Sequence, residues 1–150
     1  MHTPHVVVVG GGFGGLATVR ALAGAPVRLT LIDKRNHHLF QPLLYQVASA
    51  ALAPSDIAAP LRGVLARQAN VEVLLAEVTG IDLGARAVHT PDRTLAYDHL
   101  VLATGARTAW FGHDDWEAHA TGLKTVGDAL QVRHRMLGAL ERAEWTPDPV

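Results

Sequence analysis

The sequence predicts an α/β protein built around a parallel β-sheet, and three consecutive segments near its start support this fold class. Residues 6–9 are a run of four valines, which is typical of a strand buried on both faces. Residues 13–23 have a helical pattern, with Leu16, Val19 and Leu22 on one side. Residues 28–32 predict a second strand. Strands joined by a single helix are expected to be parallel, with a right-handed crossover.

Composition limits the possible functions of this chain. It has 150 residues, of which 49% are hydrophobic and 18% charged, enough for one folded domain with a core. The net charge of −1 argues against a nucleic-acid-binding protein, which would carry a basic surface. The chain has no cysteine, so disulfides, thiolate zinc sites and cysteine nucleophiles are excluded. The lack of cysteine also fits a reducing, cytoplasmic environment, and no apolar run or basic leader predicts a membrane span or signal peptide.

In the middle of the chain, apolar and polar residues follow a less regular pattern. We expect residues 34–59 to be irregular and a helix to begin at Ser55-Asp56 and run past Leu61 and Leu65. Residues 71–78 predict a third strand. Two short runs, 87–90 and 94–96, are separated by Pro91-Asp92-Arg93 and predict an inserted β-hairpin.

The last third contains a strand, a loop and a helix. Residues 100–102 predict a buried strand that ends at Thr104-Gly105, and residues 107–124 predict a loop. Thr125 and Asp128 have the spacing of a capping box, which predicts a helix start. The helix is expected to be amphipathic and to end at Glu144, before a tail. Its apolar face would consist of Val126, Leu130, Leu137 and Leu140.

A glycine cluster between the first strand and the first helix is the strongest functional signal. Gly10, Gly12 and Gly15 satisfy the spacing G-x-G-x-x-G. The first glycine allows a tight turn, the second lets backbone approach a pyrophosphate, and the third allows close packing of helix on strand. Phosphates are then held at the helix N-terminus. Glycines alone could form a flexible loop, but a strand before and a helix after them favour a dinucleotide site.

Asp33 supports the same interpretation. It ends the second strand 23 residues after Gly10, close to the spacing of about 20 for an acid that binds a ribose hydroxyl pair. A capping role in a turn is the alternative for such a residue. With the glycine motif, Asp33 predicts a Rossmann-like dinucleotide-binding domain.

Three further segments resemble a known family. Residues 94–106 are similar to the second fingerprint of flavoproteins with two dinucleotide-binding domains. Residues 37–48 and 55–62 resemble type II NADH dehydrogenases, which are single-subunit, non-proton-pumping NADH:quinone oxidoreductases. The resemblance covers most of the chain, and residues 40–48 are its family-specific part. It implies that FAD, rather than a nicotinamide nucleotide, binds the N-terminal glycine motif.

The resemblance also implies a set of cofactor-binding residues. The glycine loop would lie along the FAD pyrophosphate, Asp33 would bind the adenosine ribose with Lys34 beside it, and the backbone of Val78 would meet the adenine. Ala103 and Gly105 would border the cofactor, and Gln46 would lie near the flavin. The complete set is Gly10, Gly12, Phe13, Gly14, Gly15, Asp33, Lys34, Gln46, Val78, Ala103 and Gly105. No residue is predicted to act as acid, base or nucleophile, and no metal site is predicted. His37 and His38 are interpreted as loop-packing residues.

The resemblance implies a longer protein than these 150 residues. Relatives need a second glycine-rich unit for NADH, and no second glycine motif follows residue 143. We therefore expect an incomplete FAD/NAD(P)-binding domain, inactive alone and prone to self-association through uncovered surface. Residues 1–106 would form the FAD-binding part, 107–124 a loop, and 125–150 a helix and tail leading toward an NADH-binding domain. In a complete enzyme, this part would lie at the cytoplasmic face of a membrane.

Two other functions stay open at this point. One is a related FAD-dependent reductase of the sulfide:quinone or ferredoxin type; the sulfide enzymes need cysteines, which this chain lacks and a missing remainder could supply. The other is a non-catalytic dinucleotide-binding module.

Overall fold

The computed structural model describes residues 2–146, which form two compact units. The first unit contains the residues up to His38 and those from Ala59 to Gly105. The second contains Leu39–Ala58 and the residues from Ala106 onward. The domain prediction places a boundary close to Gly105, but it assigns residues 39–58 to the first part. The structure groups them with the C-terminal helix instead, because the two segments share one hydrophobic core.

The elements follow one another closely along the chain. The strands are β1 (His5–Val9), β2 (Arg28–Asp33), β3 (His37–Leu39), β4 (Ala58–Pro60), β5 (Val71–Leu75), β6 (Gly80–Asp82), β7 (Ala87–His89), β8 (Thr94–Ala96) and β9 (His99–Leu102). The α-helices are α1 (Phe13–Ala21), α2 (Leu44–Ala48), α3 (Pro54–Ile57), α4 (Leu61–Val64) and α5 (Val126–Trp145). Two 3₁₀ helices are Gln41–Leu43 and Asp114–Ala118.

A four-stranded parallel sheet forms the centre of the first unit, in the order β5-β2-β1-β9. In β1, Val8 lies opposite Leu31 on one side and Val101 on the other. The predicted β-α-β unit with parallel strands is therefore confirmed. All five residues of β1 are buried, as expected for a strand with neighbours on both edges and cover on both faces.

The two faces of this sheet have separate cores. Val6 and Val8 point to the face covered by α1 and α4, where they pack with Leu16 and Leu61. Val7 and Val9 point to the opposite face and pack with Val88 of the three-stranded antiparallel sheet β6-β7-β8. Alternate residues of a strand face opposite sides, so a continuous valine run serves both cores. Each fully buried valine contributes roughly 1.5–3 kcal/mol.

Residues 34–59 are ordered, and the prediction of an irregular segment is wrong. They contain β3, α2, α3 and most of β4, and their apolar side chains pack in the second unit. The helix expected from Ser55 is split: α3 ends at Ile57 and α4 begins at Leu61. Pro60 explains the break, because proline has no N–H and forces the preceding residue into an extended conformation.

The strand predictions are correct in position but differ in extent. The third predicted strand ends at Leu75 rather than Val78. The hairpin at 87–96 is confirmed, but β6 adds a third strand that the sequence did not predict. The expectation of a buried last strand is wrong. In the described part of the chain β9 is an edge strand, and Leu102 is 60% exposed.

The C-terminal helix α5 has the predicted start. The hydroxyl of Thr125 accepts the Asp128 N–H at 3.1 Å, and the Asp128 carboxylate accepts the Thr125 N–H at 2.8 Å. The predicted apolar face is only partly right, because Val126 packs with Ala129 and Val132 while Leu137 and Leu140 are exposed. The helix continues to Trp145, and most of the predicted tail lies outside the described residues. No helix within residues 2–146 is both long and apolar enough to cross a bilayer.

Candidate functional site

The glycine loop joins β1 to α1 in a backbone path that requires glycine at two positions. Gly10 has φ +107°, a conformation that side-chain-bearing residues rarely adopt, and its N–H donates to the Ile32 carbonyl at 2.7 Å. A Cβ on Gly10 would collide with the carbonyl of Ala103. A Cβ on Gly15 would collide with the carbonyl of Gly10. These contacts let the loop turn tightly and let α1 lie directly against the strand.

Gly12 differs from its neighbours because the space beside it is open. A Cβ built on Gly12 would meet no atom within 4 Å. Gly12 is also the N-cap of α1, no side chain caps it, and no acidic residue lies in the first helical turn. An anion can therefore approach the positive end of the helix dipole at this point. The open space beside Gly12 leaves room for such an anion.

Asp33 lies at the end of β2, next to this loop. Its Oδ2 accepts the Gly11 N–H at 2.6 Å, and its Oδ1 accepts the Arg35 N–H at 2.7 Å. A carboxylate has about four acceptor positions, so each oxygen retains capacity for one more donor. Asp33 can thus bind ribose hydroxyls while it holds both backbone groups.

A cleft of about 210 Å³ opens at the carboxyl ends of the parallel strands. Four residues predicted from the sequence line it together: Gly10, Asp33, Lys34 and Val78. The other lining residues are Val9, Ile32, Arg35, Ala76, Glu77 and Thr104. Ligands of open α/β sheets bind at this edge, because the loops that follow the strands converge there.

Three polar residues of the cleft were missed by sequence reasoning. Arg35, Glu77 and Thr104 all follow the end of a sheet strand by a few residues. The ammonium group of Lys34 lies 3.7 Å from the Glu77 carboxylate, and both side chains are more than half exposed. Such an exposed pair contributes little to stability. Only their position could have predicted these three residues, because residues that follow parallel strands lie at the same edge of the sheet.

Other predicted residues lie around the loop. The Ala103 N–H donates to the Val9 carbonyl at 2.8 Å, which brings the end of β9 beside the glycines. A Cβ on Gly14 would meet Ala103 Cβ at 3.7 Å, an ordinary contact. Gly105 has φ +74°, so the chain after β9 also turns through a glycine-favoring conformation. Phe13 is 48% exposed at the start of α1.

Gln46 and the histidine pair have other surroundings. Gln46 belongs to the second unit, where its amide donates to the Tyr45 hydroxyl at 3.1 Å, and its proposed role near a flavin stays a prediction. His37 and His38 lie in the short strand β3, not in a loop. The His38 ring packs edge-on against Phe13, with centroids 5.1 Å apart, and its Nδ1 lies 3.0 Å from the Gly11 carbonyl oxygen.

A separate polar network occupies the opposite end of the sheet. His5 is buried, its Nδ1 lies 2.7 Å from the Ala96 carbonyl oxygen, and its Nε2 lies 2.8 Å from the Thr30 hydroxyl. A carbonyl only accepts, so Nδ1 carries the proton and Nε2 of the neutral ring accepts from Thr30. Burial lowers the pKa of His5 from its ordinary 6.5, and the charge of Arg28 acts in the same direction. This network joins two sheets and is not part of the cleft.

Comparison with known proteins identifies the origin of this architecture. The sequence model of the family described as pyridine nucleotide-disulphide oxidoreductase matches residues 4–143. The type II NADH:quinone oxidoreductase NdhA of Mycobacterium tuberculosis is 50% identical over 148 residues, which cover 96% of this chain and 32% of that protein. The enzyme Ndh of the same organism is 46% identical over 97% of this chain and 32% of its own length. The resemblance found in the sequence is therefore confirmed.

Solved structures agree with the sequence relatives. NDH2 from Plasmodium falciparum, solved in complex with NADH, matches 99% of this chain with a TM-score of 0.87 and 25% identity. The sulfide:quinone oxidoreductase of Aquifex aeolicus matches 93% of it with a TM-score of 0.83 and 31% identity. The match covers 32% and 33% of those chains, respectively. This chain thus spans about a third of the length of the relatives that it matches.

Proposed function

This chain belongs to the pyridine nucleotide-disulphide oxidoreductase family, and we propose that it is the FAD-binding part of a type II NADH:quinone oxidoreductase. One observation carries the proposal. Gly10 of the glycine loop, Asp33 and Val78 meet at a single cleft in a chain that is 50% identical to such an enzyme. Dinucleotide-binding folds bind an adenosine diphosphate group with this combination of a glycine loop and an acidic residue at the ends of parallel strands.

Each part of the site has a defined task in this proposal. The carboxylate of Asp33 would accept hydrogen bonds from the adenosine ribose, and the backbone of Val78 would meet the adenine. The pyrophosphate would occupy the open space beside Gly12, at the N-terminus of α1. Ala103 and Gly105 would border the cofactor where the chain leaves β9. Gln46 would contribute near the flavin.

The protein positions the cofactor, and the cofactor performs the redox chemistry. When bound, FAD supplies the capacity to accept a hydride from NADH and to pass two electrons to a quinone. The residues of this chain bind and orient it, and we assign none of them the role of acid, base or nucleophile. NADH oxidation and quinone reduction are proposed for a protein that also supplies what the relatives have beyond this third of their length. Such a protein would act at the cytoplasmic face of a membrane.

A second candidate is the sulfide:quinone reductase function. The enzyme of Aquifex aeolicus is 33% identical over 88% of this chain. The two type II NADH:quinone oxidoreductases are closer, at 50% and 46%. We therefore favour NADH as the electron donor.

Direct binding measurements test the proposal. The purified chain is titrated with ADP and with FAD in a calorimeter, and the visible absorbance of protein-bound flavin is recorded. We expect ADP to bind, FAD to bind weakly, and no substantial NADH:quinone activity, because positioning of the two reactants contributes about 7–11 kcal/mol to such a reaction. Asp33→Ala should weaken both ligands about ten- to a hundredfold, and Asp82→Ala, on β6, is the control.

Two results would contradict parts of this proposal. Failure of both ADP and FAD to bind the folded chain would remove the dinucleotide site. Stoichiometric FAD with steady NADH oxidation on addition of quinone would show that these 150 residues hold a complete enzyme.

A further inference from the structure

We propose that Asp33 and His38 are positioning residues that hold Gly11 from both sides and so fix the glycine loop for a pyrophosphate. The pyrophosphate is that of the proposed dinucleotide, so the inference rests in part on the proposed function. Gly11 was not among the residues expected to bind the cofactor. Its role in this proposal is to anchor the loop.

Both backbone groups of Gly11 are bonded to side chains from distant segments. Its N–H donates to Oδ2 of Asp33 at 2.6 Å. Its carbonyl oxygen lies 3.0 Å from Nδ1 of His38, and since a carbonyl only accepts, the ring N–H is the donor. Gly11 itself is buried, whereas the next residue, Gly12, is exposed. The two bonds therefore fix the peptides that directly precede the open phosphate position.

The neighbouring contacts strengthen this anchor. The peptide between Gly10 and Gly11 is held at its N–H by Asp33, and its carbonyl lies tightly against Gly15. Five of the six residues from 10 to 15 are glycines, which would otherwise have wide backbone freedom and lose much conformational entropy on ordering. A loop that is already ordered loses less conformational entropy when a ligand binds, and this raises the affinity for the ligand.

The two side chains differ in what else they can touch. Asp33 lines the cleft and faces the proposed ribose, so its removal affects the adenosine and the pyrophosphate together. His38 does not line the cleft and packs against Phe13 instead. A change at His38 that removes its N–H but keeps a ring against Phe13 therefore tests the effect on the loop.

The experiment compares ADP with adenosine in His38 variants of the 150-residue chain. His38→Phe keeps a ring against Phe13 but has no donor, and His38→Asn restores a donor near the position of Nδ1. We expect His38→Phe to lower the affinity for ADP about tenfold and the affinity for adenosine less than about twofold. His38→Asn should recover most of the ADP affinity. A purely structural role for the ring would not produce this difference between ligands.

Amide exchange in the ligand-free protein gives a second, independent readout. Asp33→Ala should speed exchange of the Gly11 N–H at least about tenfold. The control is Asp82→Ala, which removes a similar bond, from the Ala85 N–H at 2.8 Å, without changing Gly11 exchange.

The proposal is overturned if His38→Phe lowers the affinities for ADP and adenosine equally, or lowers neither. It is also overturned if Asp33→Ala leaves the exchange rate of the Gly11 N–H unchanged. If the wild-type chain binds no ADP, the proposed function fails, and exchange at Gly11 alone decides whether the loop is held as described.

Discussion

Gly15 lies directly against the carbonyl of Gly10, so closely that no side chain fits between helix α1 and the end of strand β1. This contact connects the fold with the candidate site, because the same carbonyl belongs to the peptide whose N–H is bonded to Asp33. The third glycine of the motif is therefore required for packing, while the second borders open space, where we propose that a ligand binds.

The first prediction concerns this packing. Gly15→Ala should lower the free energy of unfolding by about 1–3 kcal/mol or more, because the new Cβ overlaps the Gly10 carbonyl and α1 must move. Urea unfolding monitored by circular dichroism measures the change. Gly24→Ala is the matched control, since its Cβ would meet no atom within 4 Å. Equal stability of the two variants would refute the close contact.

The second prediction separates binding from folding at Gly12. Gly12→Ala should change the unfolding free energy by less than about 0.5 kcal/mol, because the added Cβ points into open space. The same Cβ would occupy the proposed pyrophosphate position, so ADP affinity should fall about tenfold or more. Calorimetry of the variant beside Gly24→Ala provides the comparison. Unchanged ADP affinity would place the phosphates elsewhere.

The third prediction is a pH dependence caused by His5. Burial lowers the pKa of His5 in the folded chain below its ordinary 6.5, with Arg28 acting in the same direction and Asp98 and Glu72 opposing it. The unfolded chain therefore takes up a proton first as the pH falls. The contribution of His5 to the free energy of unfolding should be fully present above about pH 6.5 and should decrease below that pH.

Unfolding free energies measured between about pH 7.5 and pH 5 test this slope. His5→Gln should lose less stability over that range than the wild type, because the variant has no group to protonate there. His119→Gln, at an exposed position, is the control and should keep the wild-type slope. Identical slopes for wild type and His5→Gln would show that His5 is not the group responsible.

The fourth prediction concerns the start of α5. Thr125→Ala removes the hydroxyl that accepts the Asp128 N–H and should lower stability by about 1 kcal/mol. Thr125→Ser keeps the hydroxyl and should retain most of that stability. Thermal unfolding of both variants gives the difference. A Thr125→Ala variant as stable as Thr125→Ser would mean that the cap contributes nothing.

Several features of this protein were determined by sequence alone, and all of them are local. The valine run, the glycine spacing and Asp33 predict the parallel β-α-β unit, because strand burial, turn geometry and helix start depend on nearby residues. The Thr125–Asp128 cap was predicted for the same reason. The family-specific stretch at residues 40–48 led to type II NADH:quinone oxidoreductases, which the comparisons confirm.

Only the tertiary structure decided which of these features meet. Arg35, Glu77 and Thr104 join the cleft because three strands end at one edge, and strand order is a property of the folded sheet. Leu102 is exposed because β9 lies at an edge, although its sequence is as apolar as that of a central strand. The bonds from Asp33 and His38 to Gly11 join residues more than 20 positions apart. No local pattern specifies such contacts, since they depend on how separate segments pack.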